Sequence, residues 1–363
     1  MLDIFNENQW QRIQDSYENW WQRKTDRPIL HLSFDGVDPG MPRPKGIITE
    51  SLFRYPADES AESIAEKLEY IMRSRRYEYD GYPYIWMYFG PIFSVEYFGV
   101  RPHIAENTVW YEAENLKPIE EMHISLDENS VFYPRNRKLA KAIEERFHGG
   151  YVISGGKGGG SCLDYVAEFY KPTELSYMLY DKPDEVNRLA MEFHKATCAV
   201  SKDNRTLTPS ARGYTAWGGI YAPIPWTSMQ CDYCAMIGPE HFERFVKWDL
   251  ELCINDSPRY NYYHLDGPGQ LIHLDSILSI RDLKCVQWVP GAGQKPVSAW
   301  PEIYKKISIA EKNIWVISDQ LEDIEIIADQ IGTTKGLYWY GNYPISEYDR
   351  VMKIAERIMN NIK

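Results

Sequence analysis

One pattern recurs along the chain: a short strand-like apolar run, followed by apolar residues at helical spacing. Eight such runs stand out, at 29–34, 84–89, 151–155, 214–217, 260–265, 284–289, 314–318 and 336–340. Strands that alternate with helical stretches are typical of parallel βα units. Eight of these units predict an α/β fold of the (β/α)8 type, the TIM barrel, in which the residues that perform chemistry lie at the carboxyl ends of the strands.

The 363 residues fit a single barrel domain over 1–363, because no linker or low-complexity segment divides the chain. Residues 1–27 carry Trp10, Trp20 and Trp21 and predict an N-terminal amphipathic helix that covers the outside or the bottom of the barrel. Two stretches, 35–56 and 90–134, break the alternation. We expect them to form long βα loops over the carboxyl-terminal face, where binding loops and lids occur.

Composition excludes several classes of function. The net charge of −12 argues against a nucleic-acid partner and against binding to anionic membranes. No run of 18 apolar residues and no secretory leader pattern is present, and the six cysteines are too sparse for a disulfide framework. These features predict a cytoplasmic protein that acts on a small molecule.

Several motifs carry a family resemblance. The run CDYCAMIGPEHF at 231–242, the strand end YHLDG at 263–267, the strand VQWVPG at 286–291 and the segment at 21–28 that ends in Asp-Arg-Pro are similar to segments of the uroporphyrinogen decarboxylase-like superfamily. The chain therefore resembles a divergent bacterial member of that superfamily. The resemblance implies a TIM barrel with its site at the strand ends.

Uroporphyrinogen decarboxylases in this superfamily bind their acidic substrate with arginines after the first strand. Here that position reads FDGVD, so Asp35 and Asp38 stand where the arginines are needed. Carboxylates repel a polyanionic substrate, whereas arginines bind it. The resemblance therefore does not extend to decarboxylation of uroporphyrinogen.

The corrinoid-linked methyltransferases of the superfamily hold zinc with a His-x-Cys pair and a further Cys after the last strand. His264 matches this pattern, but Asp266 replaces the first Cys, and the segment 341–344 contains no sulfur. The resemblance implies a methyltransferase with zinc or another divalent metal on His264 and Asp266. Asp319, just past the strand at 314–318, is the candidate for a third ligand. It also implies a partner protein that carries a corrinoid.

Three polar residues are the catalytic candidates: His264, Asp266 and Asp232. His264 and Asp266 are two apart on a strand, so their side chains share one face and can act as metal ligands or as an acid–base pair. The alternative is a simple turn after Asp266 with a hydrogen-bonded histidine inside the barrel. Asp319 can instead cap the next helix.

Substrate-binding candidates are mostly aromatic. If they converge, they form a pocket for a flat, apolar or methylammonium group; they are Trp217, Tyr221, Trp288, Tyr338 and Tyr340. Ordinary core packing is the alternative. Lys157, inside a glycine-rich run after the third strand, is a further candidate contact for an anion.

The reaction class stays open at this point. Methyl transfer is the first hypothesis. A cofactor-free decarboxylase or other lyase, in which Asp232 or His264 protonates a carbanion, is the second. A non-catalytic protein that binds a corrinoid or another ligand on an old enzyme scaffold is the third.

Overall fold

A computed structural model describes residues 2–114, 116–154 and 161–363. Each of the eight predicted strands has a counterpart in it. The strands are β1 (Ile29–Asp35), β2 (Arg75–Tyr79), β3 (Tyr84–Ile85), β4 (Val100–Ile104), β5 (Val109–Ala113), β6 (Val152–Ser154), β7 (Tyr214–Thr215), β8 (Tyr221–Ala222), β9 (Thr227–Met229), β10 (Asn261–Asp266), β11 (Cys285–Val289), β12 (Asn313–Val316) and β13 (Leu337–Pro344).

Helices fill most of the chain between the strands. They are α1 (Glu7–Trp21), α2 (Ala61–Arg73), α3 (Phe132–Phe147), α4 (Cys162–Tyr170), α5 (Pro172–Asp181), α6 (Pro183–Arg205), α7 (Pro239–Phe245), α8 (Lys247–Asp256), α9 (Leu274–Ser279), α10 (Pro301–Ile309), α11 (Asp323–Ile331) and α12 (Tyr348–Asn360). Among the described residues, no helix is both long and apolar enough to cross a membrane.

The strands form two mainly parallel sheets and a separate hairpin. The larger sheet has the order β2-β1-β13-β12-β11-β10-β9, and the smaller has the order β3-β6-β7-β8. Only β2 and β8 run antiparallel to their neighbours in these two sheets. Within the described ranges, no ladder joins the two sheets into a closed ring. The mixed α/β architecture with parallel strands is confirmed, and strand pairing alone does not close the predicted barrel.

Successive residues of the parallel strands β12 and β13 enter two different apolar clusters. Tyr338 of β13 and Trp315 of β12 belong to an inner cluster, whereas Trp339 and Ile314 belong to an outer one. This alternation follows from the two-residue period of a strand. The outer cluster also contains residues of the helices, such as Ile324 of α11, so the helices cover the outer face of the sheets.

Helix α1 covers the amino ends of the strands. It begins with a capping box on Asn6, and its apolar face, which includes Trp10 and Tyr17, is buried in the inner cluster. The indole of Trp20 donates a hydrogen bond to the carbonyl of Leu337, the first residue of β13, at 3.0 Å. The helix predicted for residues 1–27 thus lies at the amino ends of the strands, and its tryptophans are packing residues.

The stretch 90–134 differs from the expected irregular loop. It contains a 3-10 helix at Phe93–Phe98 and the antiparallel hairpin of β4 and β5. In β5, buried residues alternate with exposed ones over five positions. That is too short a run, after an interrupting proline in β4, for the sequence pattern to distinguish a strand from a loop.

Candidate active site

A cavity of about 600 Å³ opens at the carboxyl ends of the parallel strands. Its polar wall includes Ser154, Thr215, Ser228, Gln230, Asp232 and His264. Aromatic side chains also line it, among them Trp86, Tyr88, Trp217, Trp226 and Tyr262. An apolar cavity with a few convergent polar groups is the usual form of a small-molecule site.

Trp217 reaches this cavity from a glycine turn after β7. Gly218 and Gly219 have φ angles of +67° and +68°, and a Cβ on Gly219 would lie 2.6 Å from Cε1 of His31. The Gly219 carbonyl accepts hydrogen bonds from the Tyr82 hydroxyl at 2.6 Å and from His31 Nδ1 at 2.9 Å. Burial lowers the pKa of His31 to about 3. The ring therefore stays neutral and anchors the turn that carries Trp217.

His264 lies on β10 beside the ring of Trp217, with the ring centroids 5.4 Å apart. The parallel register places His264 next to Gln287 of β11, whose side-chain oxygen accepts a hydrogen bond from Nδ1. In this arrangement Nε2 carries the lone pair of a neutral ring. As the i, i+2 spacing predicts, Nε2 is on the same side as Asp266, 4.0 Å from its carboxylate.

Asp232 follows β9 and is exposed to the cavity, although protein surrounds most of it. Gln230 donates a hydrogen bond to its carboxylate at 3.0 Å. Burial raises the pKa of Asp232; the charge of Asp266 raises it further, and His264 opposes the shift. The charges of His264 and Asp266 therefore both act on Asp232, so the three predicted catalytic residues form one electrostatically linked group.

Two acids of α4 belong to the same group, and the sequence analysis missed them. Asp164 accepts hydrogen bonds from the backbone N–H groups of Asp232 at 3.0 Å and Tyr233 at 2.9 Å, which fixes the loop that carries Asp232. Burial, followed by the charge of Asp232, raises the pKa of Asp164 to about 8. Burial and the same charge raise the pKa of Glu168. The i, i+4 spacing of Asp164 and Glu168 on one helix was the available signal.

The structure does not bring Tyr221 and Trp288 to the cavity. Tyr221 packs on Tyr17 of α1, and its carbonyl accepts a hydrogen bond from the Trp21 indole at 2.7 Å, at the amino ends of the strands. Trp288 is fully buried in the outer cluster, 5.2 Å from the ring of Trp300. Successive side chains of a strand point to opposite faces. Because Gln287 points inward to His264, its neighbour Trp288 points outward, away from the cavity.

Tyr338 and Tyr340 point inward but lie outside the cavity wall. Tyr338 is fully buried, and its hydroxyl donates a hydrogen bond to the carbonyl of Gly218. The ring of Tyr340 lies 5.1 Å from that of His31 and 6.4 Å from that of Tyr84. Tyr338 thus holds the glycine turn that carries Trp217, and Tyr340 packs on His31, which holds the same turn. Lys157 lies outside the described residues.

The proposed metal ligands converge only in part. Asp319 is exposed, and its charge acts on Tyr343 at the end of β13. Among the described residues, two groups of three side chains bring candidate ligand atoms close together. Both groups include His194, and neither includes His264. His264 and Asp266 thus offer two ligands without a thiolate, whereas resident zinc takes three or four from the protein. The residues present do not fit a resident zinc site.

An arginine of the neighbouring strand β2 also lies at the end of β1, beside Asp35 of the FDGVD segment. Arg75 of β2 pairs with Asp35, its Nε lying 2.7 Å from a carboxylate oxygen, and its two terminal nitrogens bind the carboxylate of Glu50. Two acids therefore neutralise one buried guanidinium. This arginine is already occupied, so it provides no clamp for a polyanionic substrate.

Comparison of the sequence with family models and with curated proteins gives no match. Among solved structures, the chain is similar to a methyltransferase from Methanosarcina mazei. The similarity has a TM-score of 0.58 and covers 95% of this chain and 98% of that one, at 10% sequence identity. At this identity the similarity concerns the fold alone, over nearly the whole length of both chains. The chain has the fold of that methyltransferase.

Proposed function

We propose that the chain is an enzyme of the uroporphyrinogen decarboxylase-like superfamily, built on a (β/α)8 barrel. Side-chain contacts close the barrel wall at the places where no strand pairing of the described residues joins the two sheets. The contacts of His31 support closure. Its ring, on β1 of the larger sheet, lies 5.6 Å from Tyr84 of the smaller sheet and bonds the Gly219 carbonyl after β7. The inner cluster, sealed by α1 at the amino ends, is then the interior of the barrel.

We propose methyl transfer as the reaction, with a small methylated compound bound among the aromatic side chains of the cavity. The observation that carries the proposal is the joint position of Asp232 and His264 at the strand ends of a methyltransferase fold. A carboxyl group with a raised pKa keeps its proton at higher pH and can donate it, which is what a departing oxygen or nitrogen needs.

In this mechanism the bond between the methyl carbon and its oxygen or nitrogen breaks, and the electron pair stays on that heteroatom. The heteroatom takes the proton of Asp232 and leaves as an alcohol or amine. The methyl group passes to an acceptor, for which we propose a corrinoid carried by a partner protein. Nε2 of His264, 4.0 Å from the half-exposed carboxylate of Asp266, then returns a proton from solvent to Asp232.

The proposal is tested with free cobalamin in its reduced, cobalt(I) state as the acceptor. A panel of methylated phenols and amines is supplied, and formation of methylcobalamin is followed by absorbance. We expect turnover with at least one compound class, and a loss of about 10²- to 10⁴-fold in Asp232→Asn, the range for removing a general acid. Asp319→Asn is the matched control and keeps the wild-type rate. No turnover with any class, or equal rates in the two variants, would contradict the proposal.

A cofactor-free decarboxylase is the second candidate. It is favoured by the group of acids with raised pKa values, Asp164, Glu168 and Asp232, because a protonated carboxyl group can protonate the carbanion left by carbon dioxide. Release of carbon dioxide from aromatic carboxylic acids, without cobalamin and in the presence of a chelator, would favour this reaction. Tight binding without turnover in either assay would favour the non-catalytic protein.

A further inference from the structure

A second cluster of chemically reactive side chains lies on α6 and α8, among residues that do not line the cavity. His194 and Cys198 are four apart on α6, so they share one face of the helix. Asp256 is the last residue of α8 and lies against the same face. None of the three has a part in the proposed reaction.

The two distances from Cys198 to the other members of this cluster suit a tetrahedral metal site. The Sγ atom of Cys198 lies 3.7 Å from Nε2 of His194 and 3.8 Å from a carboxylate oxygen of Asp256. With zinc–ligand bonds of about 2.3 Å to sulfur and about 2.1 Å to nitrogen or oxygen, ligand atoms in a tetrahedron are about 3.6 Å apart. All three ligand atoms lie within 4.8 Å of one another. They can therefore close on one ion by a small movement of Asp256, the exposed member of the cluster.

The other ring nitrogen of His194 bonds a carboxylate, as is usual for a histidine that binds a metal ion. Nδ1 lies 2.7 Å from a carboxylate oxygen of Asp249, which is 1% exposed. Asp249 is itself fixed, because its second oxygen accepts a hydrogen bond from the backbone N–H of Cys162 at 2.8 Å. A carboxylate on Nδ1 sets the orientation of the ring, so that Nε2 points toward Cys198 and Asp256.

Access also favours this side of His194. Cys198 is half-buried and Asp256 is exposed, so an ion can enter from solvent and keep a water ligand. On the Nδ1 side, Cys162 and Asp249 also come close to His194, but all three are buried there. An ion on that side would have to displace the contacts of Asp249 with His194 and Cys162.

We propose that Nε2 of His194, Sγ of Cys198 and the carboxylate of Asp256 bind one divalent zinc-type ion, with the fourth position open to water. One nitrogen, one sulfur and one oxygen suit a borderline-soft ion such as Zn²⁺ and do not suit Mg²⁺ or Ca²⁺. On binding, the Cys198 thiol and any protonated Nε2 release their protons to solvent. The ion ties α6 to α8 and does not depend on the reaction in the cavity.

Cobalt(II) is the probe, because a cobalt–thiolate bond gives a charge-transfer absorption that other ligands do not. The full chain is stripped with a chelator and titrated with Co²⁺, and Zn²⁺ is then added as competitor. We expect one Co²⁺ per chain with thiolate absorption, and displacement by Zn²⁺. In Cys198→Ser the absorption is lost. In Asp256→Asn the affinity falls by more than about tenfold, the lower limit for loss of even an outer-shell partner.

Three control variants locate the ion. Cys162→Ser and the double variant His264→Ala/Asp266→Ala keep the absorption, and Asp319→Asn, which removes another exposed carboxylate, keeps the affinity. Circular dichroism verifies that each variant is folded, and the exposed Asp256 provides a test that does not disturb the core. Absence of thiolate absorption in the wild type, its loss in Cys162→Ser with retention in Cys198→Ser, or its loss in the His264/Asp266 variant would each overturn the proposal.

Discussion

Replacing Gly219 with Ala tests the turn that carries Trp217 into the cavity. The new Cβ would lie 2.6 Å from Cε1 and 2.9 Å from Nδ1 of His31, and 3.0 Å from Tyr84. Neither neighbour can move freely, since both rings are packed against each other with centroids 5.6 Å apart. The backbone adds a second cost, because a φ of +68° is unfavourable for any residue with a Cβ.

The magnitude follows from these two costs. A left-handed backbone costs about 1–2 kcal/mol for alanine, and overpacking of a filled core costs about 1–3 kcal/mol, so we expect Gly219→Ala to lose about 2–5 kcal/mol of unfolding free energy. Gly293→Ala is the matched control. Its φ is +76°, but no atom lies within 4 Å of the added Cβ, so only the backbone cost applies.

Urea unfolding followed by circular dichroism measures both variants. The reasoning predicts that Gly219→Ala is the less stable by about 1–3 kcal/mol, the overpacking cost alone. Equal losses in the two variants would refute the close contact between the turn and His31. A Gly219→Ala protein as stable as the wild type would refute the backbone cost as well.

The remaining predictions concern the acids and the tryptophans. The methyl-transfer rate should be full at low pH and fall as pH rises through the raised pKa of Asp232, and the pH profile of Asp232→Asn should lack this step. For Asp164, the folded-state pKa of about 8 lies above the ordinary 3.8, so the unfolded chain binds fewer protons between these values. The free energy of unfolding should therefore decline as pH rises from about 4 to about 8, and Asp164→Asn should flatten that decline in urea titrations at each pH. Trp217, 37% exposed in the cavity, should raise KM on change to alanine and lose less stability than the fully buried Trp288, whose change to alanine should cost about 3–5 kcal/mol. A Trp288 variant that raises KM without loss of stability would contradict this assignment.

The parallel strands were predictable because each carries its own local signal. The apolar run of β10, for example, ends at Asp266 followed by a glycine and a proline, so its strand, its end and the shared face of His264 and Asp266 can all be inferred from neighbouring residues. The N-terminal helix was predictable for the same reason, since Trp10, Tyr17 and Trp20 repeat at helical spacing.

The supporting residues of the site could not be inferred in this way. Asp164 holds the loop of Asp232 across 68 positions of sequence, and only the packing of α4 against that loop brings them together. The aromatic residues illustrate a different limit. Trp217 and Trp288 both lie near strand ends. Trp217 faces the cavity because the glycine turn after β7 is held by His31, 188 positions away in sequence from Gly219, and no neighbouring residue indicates this contact.

A double-mutant cycle on Asp232 and His264 tests the central claim, that these two residues act together on one substrate in one cavity. The kcat/KM of methyl transfer to reduced cobalamin is measured for the wild type, Asp232→Asn, His264→Gln and the double variant. Because residues that act as a unit lose activity non-additively, we expect the double variant to be at most about tenfold slower than the slower single variant. A double variant whose loss equals the product of the two single losses, or single variants as fast as the wild type, would contradict the assignment of this cavity as the active site.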